Sequence, residues 1–416
     1  MEIKKGYKMT DVGVIPEDWE VITLDILGKF SKGAGISKSE ANSGTIKAIR
    51  YGELYTIHNY IIKKYESFIS QEVANKSKKL IKGDIVFACS GETKEDIGKC
   101  AAFVDDCETY AGGDTIIFSP TIKTDSNYLG YILNSSSSMD QKSSSAQGDS
   151  VVHISVDSIR NIQIPLPDFL EQQAIADALT KVDNLITSLT KVIEKKKLIK
   201  KGAMQKLLSG EMRLDGYNNI IKSVNLSDIG EIKAGGTPST NVPSYWGGTI
   251  NWLQSGAVKN RVLDIRDVEK TITYDGLASS SAYLIKENSV LIAITGATCG
   301  NIAYLPFKSA ANQSVVAIQV NVGFNSKYIF YMLIQNSDKI VNNRGGSAQG
   351  GVAVNILKEI ELCIHEDIDE QTAIADILTT MDNEIEALEK ERDKYKCIKQ
   401  GMMQQLLTGK IRLTCQ

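Results

Sequence analysis

Apolar residues recur in steps of four and three along two stretches of the chain, residues 171–214 and 370–413. This spacing is typical of the seam of a coiled coil rather than of the broader apolar face of a globular helix. The first seam comprises Ile175, Leu179, Val182, Ile186, Leu189, Ile193, Ala203 and Leu207. The second comprises Ile374, Leu378, Met381, Ile385, Leu388, Tyr395, Met402 and Leu406. The pattern predicts one long amphipathic helix in each stretch.

The two stretches are copies of each other. About 25 of their roughly 44 aligned positions are identical without an insertion, whereas unrelated segments share about three, so the chain contains an internal repeat. Basic residues interrupt both seams near the middle, where they leave room for a polar contact that sets the register of pairing. These residues are Lys196, Lys200, Arg392 and Lys399.

Both helices carry the same signals at their ends. Asp168 precedes Glu171, and Asp367 precedes Glu370, with the spacing of an N-cap and the third helical residue. Each stretch also ends at a glycine of the kind that adopts the left-handed conformation, Gly210 and Gly409.

Charge indicates what the helices pack against. Residues 168–214 contain nine Lys/Arg and six Asp/Glu, whereas residues 367–416 contain seven and ten, so the two segments carry about +3 and −3. Flanking charges select partners in coiled coils, and opposite balances favour pairing of the two helices with each other. The alternative is that each helix packs only on its own neighbouring domain.

The segments before the two helices follow one order of elements. Short apolar runs separated by turn residues predict strands, and residues 128–133 and 328–333 predict short helices, so each segment is a mixed α/β domain. The predicted division is 1–166 and 215–366 for the globular domains, and 167–214 and 367–416 for the helical regions. The chain is therefore interpreted as a tandem duplication with pseudo-two-fold symmetry.

Composition narrows the class of protein. The 416 residues are 42% apolar with a net charge of −3, which argues against a general polyanion binder but allows a local basic face. No stretch has the length and apolarity of a membrane span. The seven cysteines are scattered and never form a C-x-x-C pair, so we expect reduced thiols in a cytoplasmic protein.

The residues offer no chemistry typical of an enzyme. The three histidines are far apart, and no Asn/Asp-Pro-Pro-Tyr/Phe motif of an amino-methyltransferase or phosphate-binding Walker loop occurs. We therefore expect no catalytic, cofactor-binding or metal-binding residues. The two helices are similar in sequence, whereas the two domains share their order of elements but differ in their surface residues. This contrast indicates that the two domains recognise two different versions of one kind of ligand. Duplex DNA presents two such faces along one axis.

Several motifs together resemble the specificity subunit of type I restriction-modification systems. They are the GVIPEDWE start, the paired EQQAIADAL and EQTAIADIL openings, the MQKLLSGEMRL and MQQLLTGKIRL ends, the GGTPST and YWGGTINWL segments, and the paired SAQG loops. The resemblance covers essentially the full chain. One departure is that the first domain has Lys32-Gly-Ala-Gly35 where the second has GGTPS.

The resemblance implies two target-recognition domains, each reading one half of a bipartite asymmetric DNA site, separated by two helices that pair antiparallel. It also implies that the helices, through the seam residues above, recruit two methyltransferase subunits and possibly two restriction subunits. This chain would then be non-catalytic. S-adenosylmethionine would bind the methyltransferase partner, which would flip the target adenine out of the duplex.

Residue type indicates candidate DNA contacts, since Lys and Arg bind phosphates while Arg, Gln, Asn and Ser read base edges. Arg50 and Tyr51 align with Gln254 and Ser255 at a strand end before a turn, where we expect base contacts. Gln147 and Gln349 lie in the small-residue loops that suit a phosphate or an adenine. The candidate phosphate contacts are Lys32, Lys38, Lys47, Lys259, Arg261 and Arg344. Trp246 and Trp252 are expected in the core.

Helix length suggests a ruler. A helix of about 40 residues spans about 60 Å, so domains held near its ends would reach half-sites more than one turn of DNA apart. Two other classes of protein stay open: an interaction scaffold whose duplicated domains bind protein, and a DNA methyltransferase or nuclease with unrecognised motifs.

Overall fold

The computed structural model describes residues 4–218, 220–343 and 351–413. Packing divides the chain into two compact units: unit 1 takes in Met1–Thr190 and Lys390–Gln416, and unit 2 takes in Lys191–Glu389. Each unit thus holds one globular domain and part of both long helices. The predicted four-segment division follows the sequence instead of the packing, and it stays a prediction.

Unit 1 begins with a succession of short strands and helices. Its strands are Tyr7–Thr10 (β1), Gly13–Pro16 (β2), Glu20–Thr23 (β3), Gly28–Lys32 (β4), Ile46–Ile49 (β5), Tyr60–Ile61 (β6), Ser67–Ile69 (β7), Lys78–Lys79 (β8), Ile85–Ala88 (β9), Ser90–Gly91 (β10), Cys100–Ala102 (β11), Thr109–Ala111 (β12), Thr115–Pro120 (β13), Val152–His153 (β14) and Gln163–Leu166 (β15). Its helices are Leu24–Leu27 (α1), Tyr51–Thr56 (α2), Gln71–Ala74 (α3), Ser126–Ile132 (α4), Ser136–Ser144 (α5), Val156–Arg160 (α6) and the first part of Phe169–Ser209 (α7).

Two sheets form the framework of unit 1. The larger has the strand order β4-β13-β9-β11-β6 and is antiparallel except at the β11–β6 pair. The smaller has the order β7-β5-β12-β8, with β5 and β12 parallel. Every residue of β9 is buried, which fits a strand covered on both faces.

Both long helices complete the core of unit 1. Ile175 and Leu179 near the start of α7 share one apolar cluster with Trp19, with Leu406 at the end of the C-terminal helix and with Leu407 just after it. The sequence left two alternatives, in which the helices pair with each other or each helix packs on its neighbouring domain. Both contacts occur in unit 1, because residues of both helices belong to one apolar cluster with the domain.

Unit 2 repeats this order of elements. Its strands are Ile221–Asn225 (β16), Gly230–Ala234 (β17), Trp246–Leu253 (β18), Arg261–Val262 (β19), Lys270–Ile272 (β20), Ser289–Ala293 (β21), Ile302–Leu305 (β22), Ala310–Ala311 (β23), Val315–Val320 (β24) and Glu361–His365 (β25). Its helices are Leu226–Ile229 (α8), Tyr274–Ala278 (α9), Ser326–Gln335 (α10), Ser337–Val341 (α11), Val354–Lys358 (α12) and the first part of Ile368–Leu406 (α13). Short 3-10 helices lie at Pro243–Tyr245, Ser255–Ala257, Ile265–Asp267 and Gly296–Thr298.

The larger sheets of the two units correspond strand for strand, whereas the smaller sheet has four strands in unit 1 and three in unit 2. The larger sheet has the order β17-β24-β21-β22-β19, again with one parallel pair, and the smaller has the order β20-β18-β23. The mixed α/β class with two tandem domains is confirmed. The core of unit 2 also takes residues from both helices, including Leu207 of α7 and Leu378 of α13.

The two long helices have the predicted extent and ends. The N–H of Glu171 donates to Asp168 Oδ1 at 3.0 Å, which caps α7. At the start of α13, Asp367 Oδ1 accepts from the N–H of Asp369 at 2.8 Å. The glycines that follow the helices have the expected left-handed φ values, 75° at Gly210 and 66° at Gly409.

The predicted seam residues all face packed surroundings. Eight of them are buried: Ile175, Leu179, Ile193, Leu207, Ile374, Leu378, Ile385 and Leu406. The others are half-buried: Val182, Ile186, Leu189, Ala203, Met381, Leu388, Tyr395 and Met402. Three of these, Ala203, Met381 and Met402, pack against the globular cores, and the other five lie in the middle part of the helices.

Candidate nucleic-acid interface

The first candidate reader lies at the start of α2. Strand β5 ends at Ile49, Arg50 is the N-cap residue, and Tyr51 opens the helix, so the strand leads into a helix and not into the predicted turn. Arg50 is half-buried, whereas Tyr51 exposes 37% of its surface. Leu54 anchors the helix in a core that includes Val86 of β9. The packing holds the reader residues at the edge of the smaller sheet.

A chain of hydrogen bonds joins α2 to the first SAQG loop. Tyr55 Oη donates to the carbonyl of Ser90 at 3.0 Å, and Ser90 Oγ lies 3.0 Å from Nδ1 of the exposed His153. The backbone of His153 exchanges two hydrogen bonds with Gln147, whose side chain is exposed. Gly91 is required here, because a Cβ would lie 2.7 Å from Tyr55 Oη. Hydrogen bonds therefore connect the helix that carries Arg50 and Tyr51 to the loop that carries Gln147, within unit 1.

The candidate phosphate contacts of unit 1 differ in their exposure and in whether another side chain already binds the ammonium group. Lys32 at the end of β4 and Lys38 in the following loop are exposed. Lys47 is half-buried, with its Nζ 3.8 Å from Asp105 and 4.4 Å from the centre of the Tyr65 ring. Lys47 is the least available of the three, because it already has an anionic and an aromatic partner.

The second candidate reader has a different local structure. Strand β18 ends at Leu253, and Ser255 begins a single 3-10 turn instead of a helix. Gln254 and Ser255 are both half-buried. The side chain of Asn301 holds the turn by donating to the carbonyl of Val258 at 3.0 Å.

The basic residues that follow this turn are partly engaged. Lys259 is exposed. Arg261 is exposed, but its Nη2 donates to Asp267 Oδ1, so its charge is neutralised locally. The predicted contacts Arg344 and Gln349 lie outside the described residues.

The two tryptophans of β18 occupy different depths. Trp252 is 4% exposed and its indole N–H donates to the carbonyl of Gly236 at 3.0 Å. Trp246 is half-buried, donates to the carbonyl of Ser239 at 3.1 Å, and meets Trp252 edge to face at 5.0 Å. Trp252 belongs to the core as expected, whereas Trp246 covers it from the surface.

Despite the departure at residues 32–35, Gly33 and Gly235 occupy equivalent positions in the two domains. A Cβ on Gly33 would lie 2.0 Å from the carbonyl oxygen of Gly112, and one on Gly235 would lie 2.2 Å from that of Ala311. The N–H of Gly33 donates to Thr115, just as that of Gly235 donates to Val315, at 2.9 Å in both cases. One glycine per domain is therefore enough for this crossing of two chain segments.

In unit 1, a buried carboxylate ties the start of α7 to the end of the chain. Glu171 accepts from the indole N–H of Trp19 at 3.0 Å and from Arg412 Nε and Nη2, both at 2.8 Å. Arg412 also forms two hydrogen bonds with Asp18, at 2.8 and 2.7 Å. Pairing with these carboxylates raises the pKa of Arg412, and the arginine lowers the pKa of Asp18. We call Asp18, Trp19, Glu171 and Arg412 the Glu171 cluster.

In unit 2, Glu370 at the start of α13 has the equivalent position. Arg213 donates from Nε and Nη2 to its two oxygens, at 2.8 and 2.7 Å. His365 takes the place of the tryptophan, with Nε2 3.8 Å from Glu370 and Nδ1 2.7 Å from Tyr328 Oη. Burial lowers the pKa of His365, which is fully enclosed. Arg213, Tyr328, His365 and Glu370 form the Glu370 cluster.

A buried lysine sets the register of the helices in unit 1. Lys399 Nζ lies 2.5 Å from Asp183 Oδ1, and Tyr131 Oη donates to the other oxygen of Asp183 at 2.6 Å. The ammonium also lies 3.7 Å from the centre of the Tyr60 ring. Burial lowers the pKa of Lys399, and the carboxylate opposes that shift. These four residues are the Lys399 cluster.

Unit 2 contains the counterpart, the Lys200 cluster of Lys200, Asp382 and Tyr331. Lys200 Nζ donates to Asp382 Oδ1, and Tyr331 Oη donates to the other oxygen at 2.8 Å. More exposed ion pairs extend the contact along the helices, Lys196 with Glu384 at 2.5 Å and Lys197 with Glu389 at 2.6 Å. In each unit, residues further along the first helix contact residues that come earlier in the second helix. The two helices therefore pair antiparallel. Three of the four predicted interruptions, Lys196, Lys200 and Lys399, make contacts with the other helix that can set the register. Arg392 forms an ion pair with Asp393 on its own helix.

Sequence reasoning missed the acidic partners of these basic residues. Asp183 and Asp382 occupy the same position of the repeat, as do Arg213 and Arg412. Polar residues retained in both copies at helix positions next to the seam were the available signal. The aromatic partners Tyr131 and Tyr331 also match between the copies.

The described residues include neither a membrane-spanning helix nor a metal-binding cluster. No helix among them has both the length and the apolarity needed to cross a membrane. Within residues 4–218, 220–343 and 351–413, no group of three or more His, Cys, Asp or Glu side chains is arranged to hold a metal ion.

Comparison with known families identifies the class. A model of the type I restriction modification DNA specificity domain matches residues 16–200 and again residues 220–394. The chain belongs to this family and carries two copies of the domain in tandem. It is a specificity subunit of a type I restriction-modification system.

Individual relatives agree over the full length. The chain is 28% identical over 434 aligned positions to the putative type I restriction enzyme MjaX specificity subunit of Methanocaldococcus jannaschii, covering 99% of this chain and 97% of the relative. It is 26% identical to the MjaVIII specificity subunit of the same organism, covering 96% and 94%. The fold is similar to the crystal structure of the type I S subunit from M. genitalium, with a TM-score of 0.65, 16% identity and 98% of both chains covered.

Proposed function

We propose that each unit of this chain reads one half of a bipartite, asymmetric DNA site. The observation that carries the proposal is the pairing of one framework with different side chains at the equivalent strand end. Arg50 and Tyr51 stand on a helix in unit 1, whereas Gln254 and Ser255 stand on a 3-10 turn in unit 2. Equal frameworks support a common ligand class, and unequal readers support different base sequences.

The chain itself performs no chemistry in this proposal. Two methyltransferase subunits and, for cleavage, two restriction subunits bind the helices in the cytoplasm, and the methyltransferase subunits hold S-adenosylmethionine. Apolar side chains exposed on α7 support such docking, since large apolar residues rarely face water over a contiguous patch without a partner. In unit 2 these are Val192, Leu198 and Ile199, which expose 43%, 70% and 48% of their surface.

Methylation mapping tests the proposal as a whole. A host genome that carries this gene with its methyltransferase partner should show adenine methylation at a two-part asymmetric motif, and deletion of this gene should remove that methylation. Continued methylation of the motif after deletion would contradict the proposal.

Reader substitutions test the assignment of half-sites. Arg50→Ala combined with Tyr51→Ala should relax base preference in one half of the motif only, and Gln254→Ala combined with Ser255→Ala should relax the other half only. Lost base contacts typically reduce discrimination by about 1–3 kcal/mol per base pair. Relaxation of the same half by both variants would contradict the assignment.

Insertion into a helix tests the spacing. Adding one helical turn of residues in either long helix should change the length of the unread spacer and leave both half-sites unaltered, because the readers stay intact. A methylome with changed half-sites and an unchanged spacer would contradict the ruler.

Two experiments separate the other classes. Incubation of the pure chain with labelled S-adenosylmethionine and DNA would produce labelled DNA if the chain were itself a methyltransferase. If the chain were a protein scaffold, the complex with the methyltransferase would show no sequence-selective retardation of DNA.

A further inference from the structure

A buried polar cluster lies directly behind the first reader. Glu53 is in the first turn of α2, His58 follows the end of this helix, and Ser67 is on the neighbouring strand β7. The three residues are 7%, 2% and 2% exposed. Ser67 Oγ donates to Glu53 Oε1. The other carboxylate oxygen, Oε2, lies 3.6 Å from Nε2 of His58.

Two atoms of this cluster have no hydrogen-bond partner. Glu53 Oε2 and His58 Nε2 are both buried, and neither has a hydrogen-bond partner among the residues that the structure describes. Buried polar groups are normally satisfied, and replacing a buried ion pair by apolar residues of similar volume often costs no stability. Fold stability therefore does not explain why these polar residues are here.

The cluster holds the reader from two sides. The N–H of Glu53 donates to the carbonyl of Arg50 at 3.0 Å, and its carbonyl accepts from the N–H of His58 at 2.9 Å. Ser67 pairs with Ala48 in the register of β7 and β5, two residues before Arg50. The carboxylate of Glu53 thus links the helix that carries Tyr51 to the sheet from which that helix starts.

The described residues of unit 2 form no such cluster behind the second reader. With Gly52 aligned to Gly256, the position of Glu53 is taken by Ala257, which has no polar side chain. The amide of Asn301 supports the turn there instead. The cluster is therefore specific to the first reader, and the second half-site provides an internal reference.

We propose that Glu53, His58 and Ser67 are positioning residues that orient α2, and with it Arg50 and Tyr51, for selective recognition of the first half-site. The inference rests on the proposed function. The three side chains do not touch DNA. They set the angle of the helix, because the carboxylate is fixed by Ser67 on one side and stands close to the imidazole on the other.

The experiment uses the full chain in complex with its methyltransferase partner. Methyl transfer is measured on DNA with the cognate motif, on DNA with one base pair changed in the first half-site, and on DNA with one changed in the second. The variants are Glu53→Gln, His58→Gln and Ser67→Ala. Glu72→Gln, an exposed carboxylate of the same unit that pairs only with Lys76 at the surface, is the matched control.

The readout is the ratio of rates on cognate and altered DNA. We expect each cluster variant to lose roughly 2–10-fold discrimination at the first half-site, the size of one net hydrogen bond, and to keep discrimination at the second. A reduced fraction of folded protein lowers all rates equally and leaves these ratios unchanged. A role in global stability alone therefore cannot produce the expected result.

Two outcomes would overturn the inference. One is unchanged ratios in all three cluster variants, and the other is equal loss at both half-sites. Failure of the proposed function has a different signature, because the unsubstituted complex would then fail to discriminate changes in either half-site.

Discussion

The Glu171 cluster and the Glu370 cluster use one arrangement with different neighbours. In both, a buried carboxylate at the start of one helix binds an arginine that follows the end of the other helix. In unit 1 a tryptophan supplies the additional neighbour and Asp18 shares the arginine. In unit 2 the neighbour is the buried His365. Duplication thus retained the charged pair, and the surroundings decided how each pair responds to substitution and pH.

The largest expected difference comes from removing the carboxylates. Glu171→Ala should lower the free energy of unfolding of unit 1 by about 3 kcal/mol, because it leaves a partly buried arginine without one partner. Asp18 still neutralises Arg412 in that variant. Glu370→Ala should destabilise unit 2 by more than Glu171→Ala destabilises unit 1, since no described second carboxylate binds Arg213.

Denaturant unfolding of the two variants measures this difference. Trp19 reports on unit 1, and Trp246 and Trp252 report on unit 2, so fluorescence of the appropriate Trp→Phe backgrounds separates the units. Equal loss of stability in both units for each variant would show that the clusters do not act locally.

The second comparison concerns the lysines that set the register. Lys399→Met should lower the free energy of unfolding of unit 1 by about 2 kcal/mol, because Asp183 loses its cation in an environment that is largely closed to water. Lys200→Met should have a smaller effect on unit 2, since Asp382 exposes 35% of its side chain.

Double-mutant cycles with Asp183→Asn and Asp382→Asn give the coupling energy of each pair. A larger coupling for the Lys200 pair than for the Lys399 pair would contradict the order expected from burial.

The third comparison is one of pH. Because the pKa of His365 is lowered in the folded state, the unfolded chain binds more protons between that pKa and about 6.5. The contribution of neutral His365 to the free energy of unfolding of unit 2 should be fully present above about pH 6.5 and should decline as the pH falls below that value. Unit 1 should not show this loss, because the Glu171 cluster contains no histidine. Unfolding of unit 2 between pH 8 and 5 measures the effect.

His365→Gln is the control for this titration. It should remove the difference in pH dependence, whatever its effect on stability at pH 8. Persistence of the acid-induced loss in that variant would assign it to other groups.

The smallest expected effect belongs to the exposed ion pairs of the helices. Lys196→Ala should change the free energy of unfolding by about 0.5 kcal/mol or less, because Lys196 and Glu384 expose 37% and 50% of their side chains. The effect of the substitution on the free energy of unfolding should be smaller at high salt than at low salt, because salt screens exposed charges. An effect as large as that of Lys399→Met would mean that burial does not govern the pairs.

Periodic and local features of the fold could be predicted from sequence, whereas contacts between distant residues could not. The sequence predicts the seam, the helix ends at Gly210 and Gly409, and the strands that coincide with apolar runs, such as β9 and β13, because each depends on residues close together in the chain. At Arg50 the sequence predicts a turn, whereas the structure has a helix. The residues Tyr-Gly-Glu after a strand end are compatible with either, and the burial of Leu54 in the core favours the helix. Lys399 was recognised as an interruption of the seam, but its partner Asp183 was not.

The sequence by itself determined that two similar long helices follow two related domains, because apolar period and capping residues are encoded within each segment. Only the tertiary structure decided which charges meet. Glu171 and Arg412 are 241 residues apart, and the arginine could bind any carboxylate within its reach. Antiparallel packing of the helices selects this partner, because it is the apolar seam that brings the end of one helix to the start of the other.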